Sequence, residues 1–211
     1  MDAFERREYE TPGLEPEDVD PDPIAQFGRW FADARAAAVV EPEAMLVATV
    51  DAGGRPSCRY VLLRGVDERG FRFFTNYGSA KARDLDANPA VGLTFGWLEI
   101  HRSVRVSGRA ERLPAAESDA YFASRPRGSR IGAWASPQSE VIPGRELLDA
   151  GYAEMEQRFA GVQDVPRPDG WGGYLVRPDA MELWQGRANR LHDRLRYRRV
   201  GGDWVIERLA P

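Results

Sequence analysis

Apolar positions recur along this chain with two different periods, and the switches between them mark its elements. From Pro23 to Val40, the residues Ile24, Phe27, Trp30, Phe31 and Ala34 fall at helical spacing. Strand-like runs follow over Ala44–Val50, Ser57–Leu63 and Phe71–Thr75, where successive side chains should face opposite sides. The first two flank the turn signal Asp51-Ala52-Gly53-Gly54 and predict a hairpin. Ser79 predicts the cap of a short helix through Leu85, closed by Asn88-Pro89. Val91–Trp97 and Ser103–Leu113 read as two more strands, and helices are predicted at about 114–125, 129–135 and 144–160. The C-terminal part reads as strands at Gly173–Val176, Ala180–Trp184, Arg190–Val200 and Trp204–Leu209. Residues 1–21 are charged and proline-spotted and predict a flexible N-terminal arm; residues 22–211 predict one domain with a helical annex around 114–160. Hairpin-like strands interrupted by helices favour a mainly β, α+β chain built on an antiparallel barrel, rather than alternating β/α units.

Composition narrows the function classes. Hydrophobic residues make up 43% of the 211 residues, enough for a proper core. The net charge of −4 argues against a general nucleic-acid binder. Cys58 is the single cysteine, so no internal disulfide and no all-cysteine metal site can form, and it is expected as a small buried hydrophobe on a strand. Two histidines, His101 and His192, are too few and too far apart in sequence for a histidine metal cluster, so no metal is expected. The first ten residues lack a signal-peptide pattern and no stretch approaches the ~20 apolar residues of a membrane span, so a soluble cytoplasmic protein is expected. Of the 29 lysines and arginines only Lys81 is a lysine. A single arginine is therefore weak evidence of a bidentate requirement, and the surviving lysine is the position to ask about.

Three polar constellations carry candidate chemistry. In the segment WQGRANRLHDR (184–194), a strand would place Arg190, His192 and Arg194 on one face, with Leu191 and Leu195 on the other and able to be buried. A histidine between two guanidinium groups resists protonation and suits an anionic ligand; a solvated arginine-rich strand is the plain alternative. Tyr121 and Arg125 lie four apart on a predicted helix that Pro126 should end, and Ser129 should open the next, whose free N–H groups favour an anion. This set reads equally as a phosphate pocket or as a capped surface turn. Thr75–Lys81 (TNYGSAK) joins a strand to a helix through glycine and hydroxyls, a geometry that also suits an anion, although taken alone it reads first as a capped loop with a solvated lysine. No GxGxxG after a strand, no GxxxxGK[ST] and no GxSxG is present, so the usual dinucleotide, P-loop and hydrolase readings have no support.

The motifs RREY (6–9), RYVLLRG (59–65), FFTNYGSAK (73–81), RPRGSRIGAWAS (125–136), QS (138–139), WGGY (171–174), WQGRANRLHDR (184–194) and RLAP (208–211) together resemble the pyridoxamine 5′-phosphate oxidases. The resemblance implies an antiparallel FMN-binding split β-barrel with attached helices, acting as a homodimer with FMN at the subunit interface. It implies oxidation of pyridoxine or pyridoxamine 5′-phosphate to pyridoxal 5′-phosphate, with oxygen reduced to hydrogen peroxide, and no nucleic-acid or membrane partner. Carried over by position, Arg59 and Lys81 hold the FMN phosphate, with Thr75, Gln138 and Ser139 nearby. Tyr60, Val61, Leu62, Leu63, Arg64, Phe74, Ser103, Trp184 and Arg194 belong to the same flavin site. Tyr121, Arg125, Ser129 and Arg64 grip the substrate phosphate, and Arg190, Leu191 and His192 lie against its ring, with Arg190 and His192 as the catalytic pair. Arg6, Arg7, Glu8 and Tyr9 fold over the substrate as a lid.

Three positions depart from the family's common pattern. Arg64 stands for a lysine, Ala80 for an arginine that adds to the phosphate grip, and Ser103 for a glutamine that reaches the flavin ring. These leave open a related flavin oxidase of the phenazine-pathway type, or a non-catalytic binder of FMN or pyridoxal phosphate. An anion or nucleic-acid module using the arginine-rich 187–199 stretch is a third class, opposed by net acidity.

Overall fold

The structure is a computed structural model that describes residues 8–211, so the expected lid residues Arg6 and Arg7 lie outside the described residues. Among the described residues nine strands form one antiparallel sheet: β1 (Ala44–Val50), β2 (Pro56–Leu62), β3 (Gly65–Asp67), β4 (Gly70–Asn76), β5 (Ala90–Trp97), β6 (Arg102–Arg112), β7 (Trp171–Gln185), β8 (Asp193–Val200) and β9 (Asp203–Arg208). Five α-helices accompany them among the described residues: α1 (Pro23–Ala36), α2 (Ala80–Ala87), α3 (Ala115–Ser124), α4 (Arg127–Ala135) and α5 (Arg145–Arg158). The expected β1–β2 hairpin forms, with the Asp51 carboxylate accepting from the Gly53 and Arg55 N–H groups across its turn.

The strand order is β2-β1-β5-β6-β7-β4-β3, so β2 and β3 stand at opposite ends of the path although only Leu63 and Arg64 separate them in sequence. Leu63 donates to Glu43 beside β1, and the next residue, Arg64, donates to Arg72 on β4. Adjacent Cα atoms are about 3.8 Å apart, so the sheet must curl until its two ends meet at this corner. The result is a barrel pinned along a seam, the split-barrel form expected from the sequence.

Aromatic residues fill the interior. On α1, Phe27 is fully buried and its ring meets Phe71 at 4.9 Å, Phe95 at 4.9 Å and Trp97 at 6.0 Å. The helix starts where sequence chemistry says it should, with Asp22 accepting from the Ile24 N–H and Pro23 at the first position. It ends at Ala36 instead of Val40, because Ala38 turns to φ 54°. A second, smaller cluster of Ile131, Phe159 and Val165, with Trp134, Tyr152 and Met155 packed on it, joins α4 to α5 in the helical region.

Several local expectations change. The two strands predicted at 173–176 and 180–184 are one 15-residue strand, β7. Pro178 falls inside it but opposite Gly108, where the β6 register shifts. A bulge tolerates proline's missing N–H, and a Cβ on residue 108 would stand 2.0 Å from the Arg177 carbonyl oxygen. The helix expected at 129–135 begins at Arg127, which places Ser129 inside its first turn. Cys58 is exposed on β2, whose residues 56–58 and Tyr60 face solvent in this chain. Among the described residues no helix is long and apolar enough to cross a membrane.

Because Phe27 meets three aromatic rings from two strands at once, Phe27→Ala should lower unfolding free energy by about 3–5 kcal/mol. A denaturant titration reads this as a shifted midpoint; an unchanged midpoint overturns the role of α1 as the barrel's plug.

Candidate active site

A cavity of about 630 Å³ opens on the seam. The corner supplies Val61, Leu62 and Arg64, β4 supplies Phe74 and Thr75, and α3 and α4 supply Tyr121, Arg125 and Ser129. Gln138 closes one side, with its side-chain oxygen accepting from the Thr75 hydroxyl at 3.0 Å and the Asn76 N–H at 3.2 Å. Residues from both expected anion sites therefore share one cavity, because the barrel's closure brings β2's end against β4.

Behind Thr75 lies the single lysine. Lys81 is 7% exposed, and its ammonium donates to Thr75 Oγ1 at 3.2 Å and Ser79 Oγ at 3.4 Å. Among the described residues no carboxylate lies within ion-pair distance of it. Burial first, and then the nearby Arg59 guanidinium, pushes Lys81 below its ordinary value of 10.5. Arg59 is held in place by Thr49 Oγ1 at 2.7 Å, Ser57 Oγ at 2.7 Å and Asp84 at 3.8 Å. Ser79 stands at the cap position of α2, but its hydroxyl faces Lys81 and Thr75 instead of capping the helix. A buried cation surrounded by hydroxyls and a second cation is chemically incomplete without an anion.

The opposite wall repeats the pattern. Tyr121 stacks on Phe74 at 3.9 Å, and the Arg125 guanidinium lies over the Trp171 ring at 4.7 Å. One Arg125 nitrogen, Nη1, is buried without a hydrogen-bond partner. Burial holds Arg125 below its ordinary value; the Tyr121 phenol opposes this and the Arg64 guanidinium adds to it. Neither Arg64 nor Arg125 has a carboxylate partner among the described residues. The wall is anchored from behind: Glu117, four residues before Tyr121 on α3, takes Arg69 through both oxygens at 2.9 Å. Arg167 binds Asp119 of the same helix at 2.7 Å.

The remaining expected site residues gather elsewhere. Tyr9 stacks on His101 at 4.3 Å and approaches His192 at 5.9 Å, while Trp184 meets His192 at 4.7 Å. Gly186 makes room for Tyr9, since a Cβ there would stand 2.6 Å from its ring. Glu8 accepts from the Asn189 N–H at 3.0 Å. Ser103 lies opposite Trp184 in the β6–β7 ladder, and Arg194 donates to both oxygens of Glu182 at 2.8 and 3.1 Å. None of these residues lines the cavity. Trp171 at the cavity and Trp184 are thirteen residues apart on β7, about 40 Å of extended strand. Tyr60 is exposed, Leu63 is buried in the core, and Ser139 sits on a left-handed turn at φ 73°.

The shared face of Arg190, His192 and Arg194 is corrected. Ala188–Arg190 form a 3-10 turn with φ 56° at Asn189 and 61° at Arg190, and β8 begins only at Asp193. Strand alternation does not reach Arg190, and Leu191 is 69% exposed instead of buried. Sequence reasoning also missed the supports: Asn76 and Trp171 in the cavity, Thr49 and Asp84 behind Arg59, His101 beneath Tyr9, and Glu182 holding Arg194. Glu182 had a signal, as an acid in a strand whose neighbours are apolar, and Asn76 and Trp171 lay in the TNYGSAK and WGGY motifs; Thr49, Asp84 and His101 had none, because long-range pairing brings them in.

Known proteins match this architecture along the whole chain. Residues 31–159 match the pyridoxamine 5′-phosphate oxidase family, and residues 171–211 match the pyridoxine 5′-phosphate oxidase C-terminal dimerisation region. A pyridoxine/pyridoxamine 5′-phosphate oxidase of Rubrobacter xylanophilus is 58% identical over 98% of this chain and 94% of its own length. One of Cupriavidus necator is 54% identical over 98% and 97%. Among solved structures, PhzG from Burkholderia lata, in complex with tetrahydrophenazine-1-carboxylic acid, is 36% identical with a TM-score of 0.88, covering 94% of this chain and 98% of that one. A pyridoxamine 5′-phosphate oxidase-related, FMN binding protein of Nostoc punctiforme shares the fold at 18% identity and a TM-score of 0.71, over 95% and 100%. The seam cavity and these matches together place the chain in the pyridoxamine 5′-phosphate oxidase family.

Proposed function

We propose that this protein is a homodimer that binds FMN and oxidises pyridoxine and pyridoxamine 5′-phosphates to pyridoxal 5′-phosphate. One observation carries the reading: Arg64 and Arg125 line the seam cavity, Lys81 stands behind its Thr75 wall, and no carboxylate pairs with any of the three among the described residues. Two phosphorylated molecules, cofactor and substrate, satisfy both walls at once.

Lys81 and Arg59, with the Thr75 and Ser79 hydroxyls, would hold the FMN phosphate. Val61, Leu62, Phe74 and Gln138 supply the wall beside it. When bound, FMN supplies the redox chemistry, carrying two electrons from substrate to oxygen and giving hydrogen peroxide. Tyr121, Arg125, Ser129 and Arg64 would grip the substrate phosphate, with the first turn of α4 adding free N–H groups. The cluster of Trp184, Arg190, His192 and Arg194, with Ser103 beside it, stands at the far end of β7, so a second subunit must bring it to the cavity. The matched dimerisation region spans both Trp171 and His192, which fits a two-fold contact through this part of the chain. There the partner's Arg190 and His192 would orient the reacting carbon, and holding the two rings in register supplies much of the acceleration.

Purified protein tests the reading directly. Under air it should be yellow and convert pyridoxine 5′-phosphate to pyridoxal 5′-phosphate with one peroxide per product. Flavin retention without product would establish a binder, and turnover of a tricyclic aromatic acid in its place would establish the phenazine-type oxidase.

Lys81 gives a second test. Because burial depresses its folded value, the unfolded chain binds more protons between that value and 10.5, and the stability of flavin-free protein rises with pH across this window. Lys81→Met should flatten this rise in urea titrations while weakening FMN binding by about 10- to 100-fold. A retained slope, or unchanged FMN affinity, contradicts the assignment. On the other wall, Arg125→Met should raise KM for the phosphorylated substrate by about 10- to 100-fold with FMN affinity within about twofold. An unchanged KM removes Arg125 from the substrate site.

A further inference from the structure

His192 is held by a contact that limits what it can do. The Arg187 main-chain N–H donates to its Nδ1 at 3.1 Å. A main-chain amide can only donate, so Nδ1 must present a lone pair and cannot carry a hydrogen. In the neutral imidazole the proton then sits on Nε2. Nε2 makes no hydrogen bond to any described residue and is left for a ligand.

The surroundings make this bond a built feature. It closes the turn 187–192, in which Asn189 and Arg190 both adopt left-handed backbone angles that non-glycine residues rarely take. Glu8 clamps that turn through the Asn189 N–H at 3.0 Å. Asp193 clamps it from the other side, pairing with Arg187 at 3.4 Å and Arg208 at 2.7 Å. Trp184 and Tyr9 pack about the ring at 4.7 and 5.9 Å. The carboxylates nearby are thus spent on the turn, and no hydrogen bond joins either of them to the imidazole.

We infer that the Arg187 main chain locks His192 as the Nε2–H tautomer, so that His192 meets the substrate as a hydrogen-bond donor to an oxygen and not as the base that takes its proton. Arg187 is here a positioning residue acting through its backbone. The inference rests on the functional reading above for the substrate, but the tautomer itself does not. A donor at Nε2 stabilises negative charge on a ring or alcohol oxygen and fixes the ring's orientation. The acceptor of the substrate's proton lies outside this imidazole.

Two measurements decide it. In ¹⁵N-histidine-labelled protein, the His192 signal, assigned with His101→Gln, should show an unprotonated Nδ1 and a protonated Nε2 at neutral pH. In turnover, His192→Gln, whose amide N–H stands near the Nε2 position, should keep kcat within about tenfold of the parent. His192→Asn, whose amide stands near Nδ1, should fall about 100-fold or more with FMN still bound. A protonated Nδ1, or a Gln variant as slow as the Asn variant, overturns the inference. If the parent protein makes no pyridoxal 5′-phosphate at all, the functional reading fails while the nitrogen spectrum still decides the tautomer.

Discussion

The corner at Leu63-Arg64 is the constraint on which the rest of the structure depends. One residue hydrogen-bonds beside β1 and the next beside β4, so the first and last strands of a seven-strand path are tied by a two-residue link. Curling the sheet this far is possible because strands twist, and the Ser107/Gly108 irregularity opposite Pro178 lets the long β7 follow the curve. The closure creates an interior that must be filled, which Phe27, Phe71, Phe95 and Trp97 do. It also creates the seam on which the cavity opens.

That cavity illustrates how a site is maintained against stability. Burying Lys81 among hydroxyls and Arg125 with an unpaired nitrogen works against the folded state, since buried charge is costly unless paired. Elsewhere the chain pairs many of its arginines: Arg69 with Asp67 and Glu117, Arg194 with Glu182, Arg208 with Asp193 and Glu15. The contrast is informative because both kinds of arginine come from the same arginine-rich composition. Paired ones secure elements, as Arg69 secures α3; Arg64 and Arg125 at the cavity have no carboxylate partner among the described residues.

The helix and strand periods were readable almost throughout, since they follow from which faces are buried. β1 matched its predicted span, and the hairpin turn at Asp51–Gly54 was legible because its chemistry is local. Failures fell where local rules meet long-range ones. Cys58 was expected inside, but it lies on β2, whose outer residues have nothing in this chain to cover them. His192 was read on a strand, yet Glu8 and Asp193, distant or differently placed, hold a turn there with two left-handed residues. No pattern of apolar spacing encodes such a turn.

The sequence by itself determined most elements, two candidate anion segments and the family, because periodicity, caps and motifs are properties of neighbours along the chain. Only the tertiary structure decided that Thr75 and Asn76 share one cavity with Tyr121, Arg125 and Ser129 while Trp184 stands at the other end of β7. It also decided which nitrogen of His192 is free. The reason is physical: strand order and closure are set by hydrogen bonds between residues far apart in sequence, and a side chain's role follows from what those bonds place beside it.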